Sequence, residues 1–229
     1  MISLALLTAV LCQNPVTNPG APAAPSSSTE TAADSRNVDG TKVTYVFGSI
    51  LPKEKEWKPL TGNERWKIYV RQTWLNPGAV FRAAGAAAGD QASNRPREWG
   101  QGGQAYGQRV GSRFAVFTLQ DSIQAGLASA LKYDVRYLRC KCEGFGPRFA
   151  HALKQGIVTK NEKGHWVPNI PQWAGAAGGA AIGVYGWYPD SARNHNEVLR
   201  AGATSIVFPM AFNALVEFGP EIKRVFKRK

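Results

Sequence analysis

No stretch of about 20 uninterrupted apolar residues occurs in the 229-residue chain, so no transmembrane helix announces itself by length alone. Charge is sparse too, at 19% against the usual quarter, and the 44% of hydrophobic residues can fill one substantial core. Familiar catalytic signatures are missing. There is no Gly-x-Ser-x-Gly elbow, no phosphate-binding Gly-x-x-x-x-Gly-Lys-Ser/Thr loop and no His-Glu-x-x-His zinc pair. Gly107–Gly111 is not a dinucleotide loop, because no strand–helix–strand unit surrounds it. A His151/Asp134 pair has no evident nucleophile beside it. The sequence therefore leaves enzymatic activity undecided and leans against it, and it implies no cofactor.

Cysteine is scarce. Cys12 lies at the edge of the N-terminal apolar run, which leaves Cys140 and Cys142. Their Cys-x-Cys spacing is neither a thioredoxin-like pair nor a zinc ribbon, and His151 does not complete a metal site with them. In an extended strand their side chains would lie roughly 6–7 Å apart. A mutual disulfide would need a tight turn, so two small loop residues are expected.

What is present begins with an uncharged apolar run over residues 2–12. It is too short to cross a bilayer and matches the apolar region of a signal peptide, although no Lys or Arg precedes it. Leu11 disfavours lipoprotein processing at Cys12; cleavage near Cys12–Gln13, or around Ala21–Ala24, fits better. A signal peptide over 1–12 is followed by a disordered Pro/Ala/Ser/Thr linker over 13–40, without aromatic residues. The folded domain is expected over 41–229. An exported, bacterial cell-envelope location (periplasmic or membrane-associated) follows.

The net charge is +12, and residues 1–40 contribute −2 of it. The basic remainder suits anionic lipid, acidic wall polymers or nucleic acid. Nucleic acid is set aside as a partner because no zinc-finger, helix-turn-helix or RNA-binding fingerprint occurs. Lys223, Arg224, Lys227, Arg228 and Lys229 concentrate charge at the C-terminus. There they complement a helix dipole or bind anionic lipid.

Residues 42–47 read as a short strand or extended arm. Thr61 and Glu64 have capping-box spacing and open a helix or amphipathic segment over 61–75, ended by Asn76-Pro77. Four segments then share small residues at four-residue spacing: 77–89, 101–133, 172–187 and 196–218. Gly103, Gly107, Gly111 and Gly126 mark the second, and Gly175, Gly179 and Gly183 the third. Pro209 should kink the fourth. Residues four apart share a helical face, so each series would form a groove that lets a neighbouring helix approach closely. The expected fold is a mostly α bundle of three to four close-packed Gly/Ala-rich helices with a short extended N-terminal arm. The same pattern fits insertion in a membrane, docking on one, or a soluble bundle. Polar residues within 114–131 and 201–218 weigh against a simple span.

Asp134, Arg136, Arg139, Arg148, His151 and Glu217 are candidates for a polar cluster at helix ends. Arg136 can grip a carboxylate bidentately, with Asp134 or Glu217 as partner, and such a cluster serves as an ion-pair lock or a site for an acidic ligand. Gly144, Gly146 and the nearby arginines also allow phosphate binding.

The stretches Asp134-Val-Arg-Tyr137, Arg148-x-x-x-Ala152, Trp187-Tyr-Pro189 and Glu217-Phe-Gly-Pro-Glu221 together resemble an uncharacterised family of small exported or membrane-associated bacterial proteins. The likeness spans residues 106–222. The chain departs from the pattern at Val135, where proline is expected, and at Glu221, where aspartate is expected. The resemblance implies an envelope location only. The sequence thus leads to a non-enzymatic, membrane-associated protein with a structural or interaction role, in contact with anionic lipid and able to form homo-oligomers. The alternative is a periplasmic binding protein or hydrolase that uses the Asp/Arg/His cluster on an acidic ligand.

Overall fold

A computed structural model of the chain describes residues 37, 38, 40–44 and 48–227. The signal segment expected over 1–12, nearly all of the linker expected over 13–40, and Arg228 and Lys229 lie outside the described residues.

The fold is mostly helical, with six helices among the described residues rather than three or four. They are α1 (Gly62–Thr73), α2 (Pro77–Ala92), α3 (Gly103–Leu131), α4 (Phe145–Lys154), α5 (Ile170–Trp187) and α6 (His195–Lys227). Part of the excess over the expected number is α4, which follows Gly144 and carries one small pair, Gly146 and Ala150, rather than a series. Strands are short. β1 (Asn37–Val38), β2 (Thr41–Thr44), β3 (Gly48–Leu51) and β4 (Tyr137–Leu138) form one sheet in that order, and β5 (Val158–Lys160) pairs with β6 (Trp166–Pro168). The β3–β4 pairing is parallel, so the segment after α3 returns to the N-terminal strands.

Local chemistry explains the helix ends. Thr61 Oγ1 accepts the Glu64 amide, while Glu64 Oε2 accepts the Thr61 amide at 2.7 Å, completing the capping box. Asn76 caps α2 by accepting the Gly78 amide, with Pro77 in the first turn, where its missing N–H costs nothing. Lys132 ends α3 in a left-handed conformation (φ 55°).

α3 is the axis of the molecule. α1, α2 and α5 pack on it, α6 packs on α5, and α4 packs on α6. The α3–α5 approach is closest where α5 carries glycine. A Cβ added at Gly175 would lie 2.6 Å from the Gln120 carbonyl oxygen, and one at Gly179 would lie 3.0 Å from that of Val116. At Gly183 it would meet Val116 Cγ2 at 2.5 Å.

The α3 glycines behave differently from expectation. Gly103, Gly107, Gly111 and Gly126 have no neighbouring atom within 4 Å of an added Cβ. The buried line of α3 runs through Ala105, Arg109, Ser112, Val116 and Gln120. Gly107 and Gly111 are each two residues on from Ala105 and Arg109, which turns them about 200° away, toward the outside.

Candidate functional site

The most distinctive feature is what the fold buries. Arg109 is fully buried, and Arg65, Asp90, Arg113, Asp121, Asp134, Arg136 and Glu217 are buried with it. Large apolar side chains lie outside, among them Trp66, Trp74, Leu75, Phe81, Phe145, Leu199, Val207 and Phe208. Scattered exposed apolar residues are ordinary, but charged residues are almost never fully buried unless paired. Here Asp90, Arg113, Asp121, Asp134, Arg136 and Glu217 have ion-pair partners, while Arg109 and Arg65 donate to neutral oxygens.

Of the six candidate cluster residues, Asp134 and Arg136 form one unit. Asp134 follows α3, and its carboxylate accepts Arg136 Nε at 2.9 Å, Arg136 Nη2 at 2.6 Å and the Trp57 indole N–H at 2.8 Å. Arg136 also donates to Thr41 Oγ1 and to the Lys58 carbonyl, so it ties β2 and the 52–61 segment to the start of β4. The two side chains are 1% and 2% exposed, and all of these bonds are internal.

The other four candidates gather where the C-terminal part of α6 meets β4 and α4. Glu217 Oε1 accepts the Tyr137 hydroxyl and the Cys140 amide, each at 2.7 Å. Arg139 and Arg148 donate to the Glu217 backbone carbonyl, and Arg148 reaches Glu221 at 2.6 Å while lying over the Phe218 ring. His151 Nε2 sits 2.8 Å from the Leu138 carbonyl and 2.8 Å from Gln155 Nε2. Burial first, then the bond to Glu217, pushes the Tyr137 hydroxyl pKa well above its ordinary value. The expected single cluster is therefore two groups, one centred on Asp134 and Arg136 and one on Glu217.

The cysteines also differ from expectation. Cys140 and Cys142 are joined by a disulfide across a Cα–Cα separation of 5.2 Å. The chain has left strand geometry after Leu138, and the resulting turn brings the two residues closer than an extended segment would. Among the described residues no group of three or more His, Cys, Asp or Glu is arranged to hold a metal ion.

The sequence reading missed the polar face of α3. Arg113 grips Asp90 on α2 with two bonds of 2.5 and 2.6 Å, and Arg200 on α6 stands 3.7 Å from the same carboxylate. Arg109 donates to the Arg95 and Pro96 carbonyls and to Gln91 Oε1, holding the α2–α3 connection. Arg82 pairs with Asp121 at 2.8 Å and lies over Phe117. The placing of Arg109, Arg113 and Asp121 at separations of four and eight residues was the available signal. A search for apolar periodicity cannot register a buried face made of charge.

Two cavities flank this face. One, of about 150 Å³, is lined by Gln72, Gln120, Gln124, Gln155 and Gln172 together with Arg82 and Asp121. The other, of about 250 Å³, is a cleft between α2 and α6 floored by α3. Arg82, Gln120, Phe208 and Pro209 belong to both linings. The chemistry available is hydrogen bonding in a nearly charge-balanced setting. No protein-family model, curated protein or solved structure matches this chain.

Proposed function

We propose that the chain is a membrane-embedded protein of the bacterial cell envelope, with a structural or interaction role and no catalytic one. The observation that carries this reading is α6. Its His195–Ile222 portion is 28 residues long, beyond the roughly 20 needed to cross a bilayer. Only 17% of its most apolar 18-residue window is buried inside the protein. A core helix of a water-soluble bundle would be mostly covered. An apolar helix left uncovered beside an interior of paired charges fits lipid as the surrounding solvent, because intramembrane charges pair and face inward. Exposed Trp66 and Trp74 on and beside α1, and Trp173 on α5, suit the headgroup level.

In this reading Gly175, Gly179 and Gly183 serve as a small-residue seam that lets α5 approach α3, the finer form of the Gly/Ala packing. The buried Asp134–Arg136 pair locks the start of β4 to β2 and the 52–61 segment, the Glu217 group locks β4 to α6, and Arg224 with the following cations contacts anionic lipid. Envelope placement in this reading rests on the apolar run at 2–12, taken as a leader that is removed.

Fractionation of cells that make the full chain, followed by a carbonate wash of the membranes, tests the proposal. Retention in the washed membrane pellet is the expected result. Complete release into the wash overturns it.

A further inference from the structure

We propose that the cleft between α2, α3 and α6 binds a neutral single-chain lipid of the monoacylglycerol type, with its acyl chain along the apolar wall and its ester and hydroxyl head on Arg82, Gln120 and Ser205. Five buried side-chain atoms among the described residues lack a hydrogen-bond partner: Arg82 Nε, Asn94 Oδ1, Gln120 Oε1, Arg139 Nε and Ser205 Oγ. Three of the five belong to residues that line this cleft, Ser205 to this cleft alone and Arg82 and Gln120 at the wall it shares with the neighbouring cavity. Gln120 and Ser205 are each only 4% exposed. Buried polar atoms without partners are costly, and three at one cavity mark a place where a ligand's polar atoms would be accepted.

The chemistry of the three atoms defines the head. Arg82 Nε–H needs an acceptor, such as an ester carbonyl oxygen. Gln120 Oε1 needs a donor, such as a free hydroxyl. Ser205 takes either role, and Pro209, four residues on, has no N–H to give to the Ser205 carbonyl. A glycerol ester supplies both kinds of group within a few atoms.

Charge excludes the commoner alternative. Each arginine at the cleft already faces a carboxylate: Arg82 meets Asp121, Arg113 meets Asp90, and Arg200 meets Glu197 at 2.7 Å. A fatty-acid anion would find no unspent cation there, whereas a neutral ester leaves the pairs undisturbed.

The wall accounts for the tail. Gly85, Ala86 and Gly89 on α2, Phe117 on α3 and Phe208 on α6 give the cleft an apolar surface. At 250 Å³ it is far larger than the about 10–15 Å³ that one water requires. Added Cβ atoms at Gly85 and Gly89 meet nothing within 4 Å, so the glycines leave room that the fold itself does not fill. Phe208 is half exposed on the apolar α6, at the edge from which a bilayer lipid would enter. The inference rests on the membrane reading for that route of delivery; the recognition chemistry does not depend on it.

The test uses the full chain in phosphatidylcholine bilayer discs and a monoacylglycerol that carries a photoactivatable diazirine in its chain. Labelling should map to cleft residues of α2, α3 and α6. Unlabelled 1-monooleoylglycerol should compete with it, and oleate at pH 8 should not. Gly89→Leu places a side chain in the open space and should cut labelling at least tenfold while helix content is unchanged. Ser205→Ala should cut it severalfold. Labelling spread along the outer face of α6 and insensitive to Gly89→Leu would mean annular lipid and overturn the site. Equal competition by oleate would overturn the neutral head, and absence of labelling would mean a water-filled cleft. If the chain fractionates as soluble, the same labelling in detergent-free buffer reads the site separately. Loss of the membrane reading and loss of the site thus give different results.

Discussion

The glycines of α5 and those of α3 have the same four-residue spacing and opposite surroundings. Gly175 and Gly179 sit so close to the α3 backbone that a methyl group would collide with carbonyl oxygens, while Gly103, Gly107, Gly111 and Gly126 face open space. Spacing alone identifies residues that share a face. Which face is covered depends on what else the helix must bury, and α3 buries Arg109, Arg113, Gln120 and Asp121. Its polar groups took the inside and left its glycines outside.

The largest effect should come from breaking that charged face. Arg113→Met would leave the Asp90 carboxylate buried with only Arg200, 3.7 Å away, as a cationic neighbour. Removing one partner of a buried pair costs about 3–5 kcal/mol, and the lower end applies because Arg200 remains. Thermal unfolding in detergent micelles, followed by circular dichroism, reads this directly.

A smaller loss is expected for Gly179→Ala, since its Cβ would stand 3.0 Å from both Val116 O and Gln120 Cβ. Overpacking of this kind costs about 1–3 kcal/mol. The same melting experiment should show a lowered midpoint. The matched substitution on the other helix should reverse the sign. Gly107→Ala adds a methyl group where nothing lies within 4 Å and removes the entropy penalty of helical glycine, a gain of about 0.5–1 kcal/mol. If both substitutions destabilise equally, the two glycine series are not different in kind.

The smallest effect belongs to the exposed pair of Lys132 and Glu162, 3.0 Å apart but 61% and 46% exposed. Glu162→Gln should move stability by less than about 1 kcal/mol, within the range for solvated ion pairs. The contrast with Arg113→Met separates a buried lock from a surface contact.

Much of the helical layout was legible. The Thr61/Glu64 box, the Asn76-Pro77 break and the small-residue segments place α1, α2, α3, α5 and α6 close to their observed ranges. These signals act through local backbone chemistry, so a single sequence carries them. α4 was not legible, because it has neither a side-chain cap nor a small-residue series, and of its five apolar residues only Ala152 is buried. The Cys140–Cys142 bond was missed because the spacing was judged against strand geometry that the chain had already abandoned. Within the candidate cluster, individual residues were identified but not their partition. Arg136 meets Asp134 two residues away, whereas Glu217 is taken by Tyr137 and Cys140 some 80 residues earlier, a long-range docking of α6 that a single sequence does not carry.

The most direct test of lipid around α6 is spin labelling at Val207→Cys, in a Cys12→Ala background and with the full chain in bilayer discs. Val207 is 60% exposed on the apolar helix. Power saturation should show high accessibility to oxygen and low accessibility to a polar nickel chelate. A label that the nickel chelate reaches as freely as oxygen does would put α6 in water and contradict the membrane reading.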